Sequence, residues 1–179
     1  FTKEKYNILI LGSLTFKKGI DLFIEAIPTL ISKINEVRII GSGPERQRLL
    51  DLTNKLSLES MIKFIPFEDD PVKHIYECDI GVIPSRWEGF SLVAAEMRSS
   101  GLPILISDAP GLYSIFSGYN GVYSFKNGSK ESLTNSFNLL LDDLSHNKIE
   151  IKNLELDFEI YSQKSFINRY EDFYKNLNI

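Results

Sequence analysis

Two glutamates, Glu88 and Glu96, flank Ser91 in the run Pro84-Ser85-Arg86-Trp87-Glu88-Gly89-Phe90-Ser91-Leu92-Val93-Ala94-Ala95-Glu96. Ser91 is a competent helix N-cap, and a helix starting there would aim free N–H groups and the positive end of its dipole at the preceding loop. Such a terminus holds anions. Glu88 precedes the cap and projects over that terminus, whereas Glu96 lies about one and a half turns into the helix. On the wheel Glu96 falls between Leu92 and Val93. Arg98 points to nearly the opposite side and cannot pair with it. The Leu-Val-Ala-Ala surroundings predict a helix buried on most sides, so the Glu96 carboxylate needs donors from elsewhere. Vicinal ribose hydroxyls would supply two.

A paired acid and nucleophile for glycoside hydrolysis is the competing chemistry. It needs carboxylates about 5 to 10 Å apart, flanking one bond. Residues 88 and 96 straddle a helix start, and no strand end supplies another obvious partner, so hydrolysis is disfavoured. His74 and His146 stand outside any Cys or carboxylate cluster, which leaves no visible metal site and places both on the surface by default. Cys78 reads as a small buried apolar residue.

The elements that must position these groups alternate along the chain. Residues 6–12 (YNILILG) form a continuous apolar run, as expected of a strand buried on both faces. A helical pattern follows over residues 20–34, with Pro28 expected to bend or break it. Further strands are expected over 37–41, 61–65, 79–84, 103–107 and 121–125. Between and after them come helices around Leu49–Leu56, 72–77, 91–100 and 133–144, and an aromatic-rich amphipathic helix in the last twenty or so residues. This alternation predicts an α/β fold with a doubly wound, parallel, six-stranded sheet. Ligands bind such sheets beyond the carboxyl ends of the strands, so the residues after Gly12, Gly41, Ile65, Pro84 and Ser107 are the ones to inspect.

Composition narrows the classes. The 179 residues fit one domain with a real core, at 43% apolar and 25% charged residues. A net charge of -4 argues against a nucleic-acid partner. No apolar run approaches the roughly 18 to 20 residues needed to cross a bilayer. The lone Cys78 excludes an intrachain disulfide and fits a reducing, cytoplasmic setting. The chain begins at Phe1 without a signal-like segment, so it is expected to be a piece of a longer protein.

The segment PSRWEGFSLVAAE resembles the signature of the family-four retaining glycosyltransferases of GT-B fold: Pro-Ser, then Glu-Gly-Phe, then a second Glu after seven intervening residues. Other landmarks stand in the family's order: GSLTFKKG from Gly12 to Gly19, GSGP from Gly41 to Pro44, Asp79, Gly101-x-Pro103 and Asn120-Gly121. The resemblance implies a Rossmann-like donor domain, the C-terminal half of a GT-B enzyme whose N-terminal acceptor domain is not in this chain. It implies that Glu96 holds the ribose, that Glu88 meets hydroxyls of the donor sugar, and that backbone N–H groups around Gly89, Phe90, Ser91, Leu92 and Val93 meet sugar and diphosphate. The departing diphosphate would help to deprotonate the acceptor, and Lys18 would be the cation beside it, with no metal or other cofactor. Lys17 reads as a plain surface residue.

The family usually has an arginine where this chain has Ser13, and Arg86 is the nearest replacement by sequence, beside its reading as a surface-loop arginine. Gly41 and Gly43 border the donor pocket in the family, though a tight turn explains them equally well. Ile65 and Phe67 match the loop flanking the nucleobase, with Phe67 as core the alternative. Ser114 stands where the family often places a glutamate. The implied partners are a nucleotide-sugar donor, first a UDP-hexose or UDP-N-acetylhexosamine, and a glycan or lipid-linked acceptor. The implied setting is the cytoplasm, with peripheral association at the membrane. A non-catalytic or degenerate nucleotide-binding domain and half of a UDP-sugar epimerase remain alternatives.

Overall fold

A computed structural model describes residues 3–67 and 71–149. Six parallel strands, β1 (Tyr6–Leu11), β2 (Ile34–Ile40), β3 (Ile62–Ile65), β4 (Ile80–Ile83), β5 (Ile104–Ser107) and β6 (Val122–Phe125), lie in the order β3-β2-β1-β4-β5-β6. The connecting helices are α1 (Ile20–Leu30), α2 (Arg46–Lys55), α3 (Val72–Glu77), α4 (Leu92–Ser99) and α5 (Pro110–Phe116), and α6 (Lys130–Ser145) follows β6. A 3-10 turn, Phe16–Lys18, bridges β1 and α1. The expected doubly wound α/β sheet is therefore present.

The apolar run of β1 reflects burial on two faces. Ile8 and Ile10 enter the core under α1 and α6, where the Phe23 and Phe137 rings lie 6.2 Å apart. Leu9 and Leu11 point the other way, into a core closed by Met97 of α4 and by Leu112 and Phe116 of α5. The alternation of the pleat thus feeds two helix layers from one strand. Chain order reverses between β1 and β4, so the loops leaving these two neighbouring strands diverge and open a crevice at the sheet's carboxyl edge.

Several boundaries differ from the sequence expectations. Helix α1 runs through Pro28 without a break and stops at Leu30, while Ile34 opens β2. Pro28 lies in the last turn, where one missing N–H removes little before the helix ends. Helix α5 was not anticipated; it is only seven residues long and starts with Pro110, whose fixed φ suits a first helical position. The expected C-terminal aromatic helix lies outside the described residues.

His74 is buried rather than on the surface, with its Nδ1 3.3 Å from an Arg38 guanidinium nitrogen. Arg38 in turn pairs with Glu36 and Glu77, so an ion network covers the histidine. His146 is exposed as expected. Cys78 is buried, and its desolvation pushes the thiol up to about 11. A thiol held protonated and enclosed should react slowly with maleimide in the native protein and completely after unfolding. Rapid native labelling would contradict this placement.

Candidate functional site

The loop after β1 brings Lys17 and Lys18 on its 3-10 turn, and the loop after β4 brings Glu88. Lys18 Nζ donates to Glu88 Oε2 at 2.6 Å, and Lys17 Nζ stands 3.4 Å from Oε1. Ser85 Oγ donates to the same Oε2 at 3.2 Å. The Glu88 side chain is only 7% exposed, so two cations and a hydroxyl are what make an ionised carboxylate tolerable there. Lys17 is thus part of the cluster rather than a plain surface residue.

Burial by itself would raise the Glu88 pKa, but the Lys18 hydrogen bond and the charges of Lys18 and Lys17 outweigh it and hold the carboxyl below its ordinary 4.5. A carboxylate depressed in the folded state stabilises it above the unfolded value, and that contribution disappears as pH falls through the folded value. Acid unfolding should therefore steepen below about pH 4.5, and a Glu88→Gln variant should lose that part of the dependence. Denaturant midpoints measured from pH 7 to pH 3 test it. Identical pH profiles for the two proteins would refute it.

Backbone contacts hold the Glu88 loop in place. Arg86 N–H donates to Lys17 O at 2.8 Å, fastening the two loops together. Ser107 Oγ donates to Ser85 O, and Asn127 Nδ2 donates to Arg86 O. The first turn of α5 presses against the loop from below. A Cβ at Gly111 would lie 2.1 Å from both Glu88 O and Gly89 O, so no side chain fits there.

Beside this cluster, Ser91 caps α4 by accepting from Ala94 N–H at 3.3 Å. Helix α4 is less enclosed than its composition predicts. Arg98 is the buried charge, at 2% exposure, with its guanidinium donating to Asn120 O and stacked over Tyr119. Glu96 and Leu92 lie on the open face, and Leu92 is 68% exposed. The wheel put Glu96 and Arg98 on opposite sides correctly but misassigned which side is covered. Alanines 94 and 95 pack inward, and the Leu92–Glu96 edge is left free to border a ligand.

That edge forms one wall of a cleft of about 310 Å³, completed by Leu11, Gly12, Ile40, Phe67, Pro71 and Val93. The cleft adjoins the charged cluster, because the Lys18 Cε lies 3.6 Å from where a Gly12 Cβ would stand. A larger hollow of about 620 Å³, among Lys3, Tyr6, Lys33 and Asn138, lies at the sheet's amino end. Strands enter there, and none of the candidate groups converges on it, so the smaller cleft at the switch point is the candidate site.

The remaining candidates fall around this cleft in different ways. Ser13 and Gly89 are exposed, Phe90 is 43% exposed, and Ile65 is half-buried. Phe67 is 69% exposed on the cleft wall, which removes its reading as core. Gly41 and Gly43 sit where the loop after β2 presses on the backbone of Gly12 and Leu14. Arg86 turns its guanidinium to Asp21 through two 2.9 Å bonds and donates to Phe16 O. Among the described residues no group of three or more His, Cys, Asp or Glu side chains could hold a metal ion.

The sequence reading did not single out Asp21, Gly111 or Asn127. Asp21 is an acid placed on the buried side of α1's first turn, which the wheel could have flagged. Asn127 sits in an Asn-Gly turn, and nothing local marks its reach to another loop.

The sequence profile of the glycosyl transferases group 1 matches residues 1–155. The chain belongs to this family. It is 31% identical over 177 residues to an uncharacterized glycosyltransferase of Methanocaldococcus jannaschii, covering 96% of the chain and 45% of that relative. It is 29% identical over 187 residues to the O-antigen biosynthesis glycosyltransferase WclY of Escherichia coli, covering 98% and 50%. The chain thus spans about half the length of the curated relatives it matches. Among solved structures, S. aureus TarM in a complex containing UDP superposes with a TM-score of 0.80 at 20% identity, over 96% of this chain and 36% of that one. Anabaena HepE in complex with UDP-glucose gives 0.76 at 20% identity, over 84% and 43%. These likenesses show the fold, a Rossmann-like sheet shared with GT-B enzymes.

Proposed function

We propose that this chain is the donor-binding half of a retaining glycosyltransferase and holds a nucleotide-diphosphate sugar, first of all a UDP-sugar. The observation that carries the reading is the joining of two unlike subsites at the switch point. An apolar cleft with one carboxylate on its wall, Glu96, adjoins through Gly12 an ion cluster whose Glu88 shortly precedes the α4 N-cap Ser91. A nucleoside suits the first and a diphosphate the second.

Lys18 carries three N–H donors, and Glu88 uses one. The others are available to a phosphate oxygen, so the lysine can hold the carboxylate and a leaving diphosphate together. Charge developing on that diphosphate is then met by a fixed cation and by the α4 terminus. Glu88 in this reading accepts from hydroxyls of the donor sugar, and no metal takes part. Retention of configuration rests on the resemblance of PSRWEGFSLVAAE to the family-four signature. The acceptor is a glycan or lipid-linked saccharide, in keeping with relatives named for O-antigen biosynthesis and for transfer to a diphospho-undecaprenol-linked sugar. The missing half of the enzyme would supply most acceptor contacts, so the isolated chain binds nucleotide without turnover.

Calorimetric titration of the chain with UDP, GDP and ADP tests the reading. UDP should bind, and Glu96→Ala should weaken it by about 1.5 to 3 kcal/mol through loss of the ribose diol. Equal affinities of the parent and the variant would remove the ribose assignment.

A further inference from the structure

The Lys18–Glu88 pair joins the 3-10 turn after β1 to the irregular loop after β4. Besides the Arg86 N–H to Lys17 O bond, a side chain outside the cleft fixes their spacing. Asp21, in the first turn of α1, is 7% exposed and accepts from both terminal nitrogens of Arg86, each at 2.9 Å. This is the fork-to-fork geometry that sets orientation as well as distance. Arg86 also donates to Phe16 O at 2.7 Å and lies 4.0 Å over the Phe16 ring. Phe16 begins the turn that carries Lys17 and Lys18, and Arg86 stands two residues before Glu88. One buried carboxylate therefore grips, through one arginine, the two loops that bear the opposite ends of the ion pair. Arg48 donates to the same Asp21 Oδ2 at 3.0 Å and pairs otherwise with Glu45, beside its own helix.

We propose that Asp21 is a positioning residue for the Lys18–Glu88 pair, acting through Arg86 to set the distance between that lysine and that carboxylate. Its bearing on nucleotide affinity rests on the donor-site reading of the pair. Arg86 then serves the diphosphate by holding Lys18 in place rather than by touching it.

Asp21→Asn keeps the size of the side chain and removes its charge. Two effects on Glu88 then oppose each other. Removal of a neighbouring negative charge, acting through space, can only lower the Glu88 pKa. Loosening of the Lys18 contact raises it toward the ordinary carboxylate range. The sign separates positioning from a general electrostatic effect. Glu88 is followed by carbon-detected NMR titration of glutamate-labelled chain, its signal assigned with Glu88→Gln, and UDP affinity is measured on the same samples.

The expected result is an upward move of the Glu88 midpoint, with UDP binding weaker by about ten- to a hundredfold. Arg48→Met, which removes the other partner of Asp21, should change neither reading. If Asp21→Asn does not fold, Arg86→Lys keeps the charge but loses the fork, and it should raise the Glu88 midpoint in the same way. A Glu88 midpoint that stays or falls in the folded variants overturns the proposal. If the parent chain binds no UDP, the donor-site reading fails, and the Glu88 titration still decides the positioning role by itself.

Discussion

Lys18→Ala in the intact enzyme is expected to lower kcat/KM for sugar transfer by about a hundred- to a thousandfold, the usual loss when one preorganised charge stabiliser is removed. The lysine is fixed at 2.6 Å from Glu88 and only 19% exposed, so it needs little reorganisation to meet a leaving group. Its removal also leaves the Glu88 carboxylate, 7% exposed, with only the 3.4 Å Lys17 contact and a serine hydroxyl. Lys17→Ala removes a more exposed and more distant cation, and it should cost less than about tenfold. Steady-state kinetics on the three proteins decide the matter. Equal losses for the two lysines would mean that Lys18 has no special place, and an unchanged Lys18→Ala would remove it from the chemistry.

Gly19→Ala should be among the most damaging single substitutions in the chain. Gly19 has φ of 62°, in the left-handed region, and it ends the lysine turn while opening α1. A Cβ there would stand 2.1 Å from Pro84 O and 3.1 Å from Pro84 C. Neither atom belongs to a flexible side chain, so the β4 loop would have to move bodily, carrying Ser85, Arg86 and Glu88 with it. Gly118→Ala separates the two causes, because Gly118 has φ of 86° and open space around its absent side chain. Strain alone should cost about 1 kcal/mol at Gly118, whereas strain plus backbone overlap should cost about 3 kcal/mol or more at Gly19. Denaturant unfolding measures both. Similar losses at the two glycines would show that the close approach to Pro84 carries no energy.

The middle of the sheet was legible because its strands β1, β4 and β5 are buried on both faces, which writes them as unbroken apolar runs such as Ile8–Leu11. Helix ends were harder. Ile34 continues the helical spacing of α1 yet begins β2, since spacing alone does not say which element an apolar residue at a boundary will join. Helix α5 escaped notice because it opens on Pro110-Gly111, a pair that reads as a turn.

The site divides along a similar line. Groups in one contiguous run, from Ser85 to Glu96, could be read from helix geometry and from the family resemblance. Contacts between loops could not. The reach of Lys17 to Glu88 and the grip of Asp21 on Arg86 depend on strands that are neighbours in the sheet but about seventy residues apart in the chain. The burial of Arg98 instead of Glu96 has the same origin, because a wheel gives relative directions and only the neighbouring layers say which is inside.

A crystal structure of the chain with UDP should show nucleoside and diphosphate lying along the β1–β4 switch point. The ribose hydroxyls should lie on Glu96, the base beside Phe67, and a phosphate oxygen within hydrogen-bond reach of Lys18 Nζ in front of the α4 N-terminus. UDP bound instead at the amino end of the sheet, among Lys3, Tyr6 and Asn138, would contradict this placement.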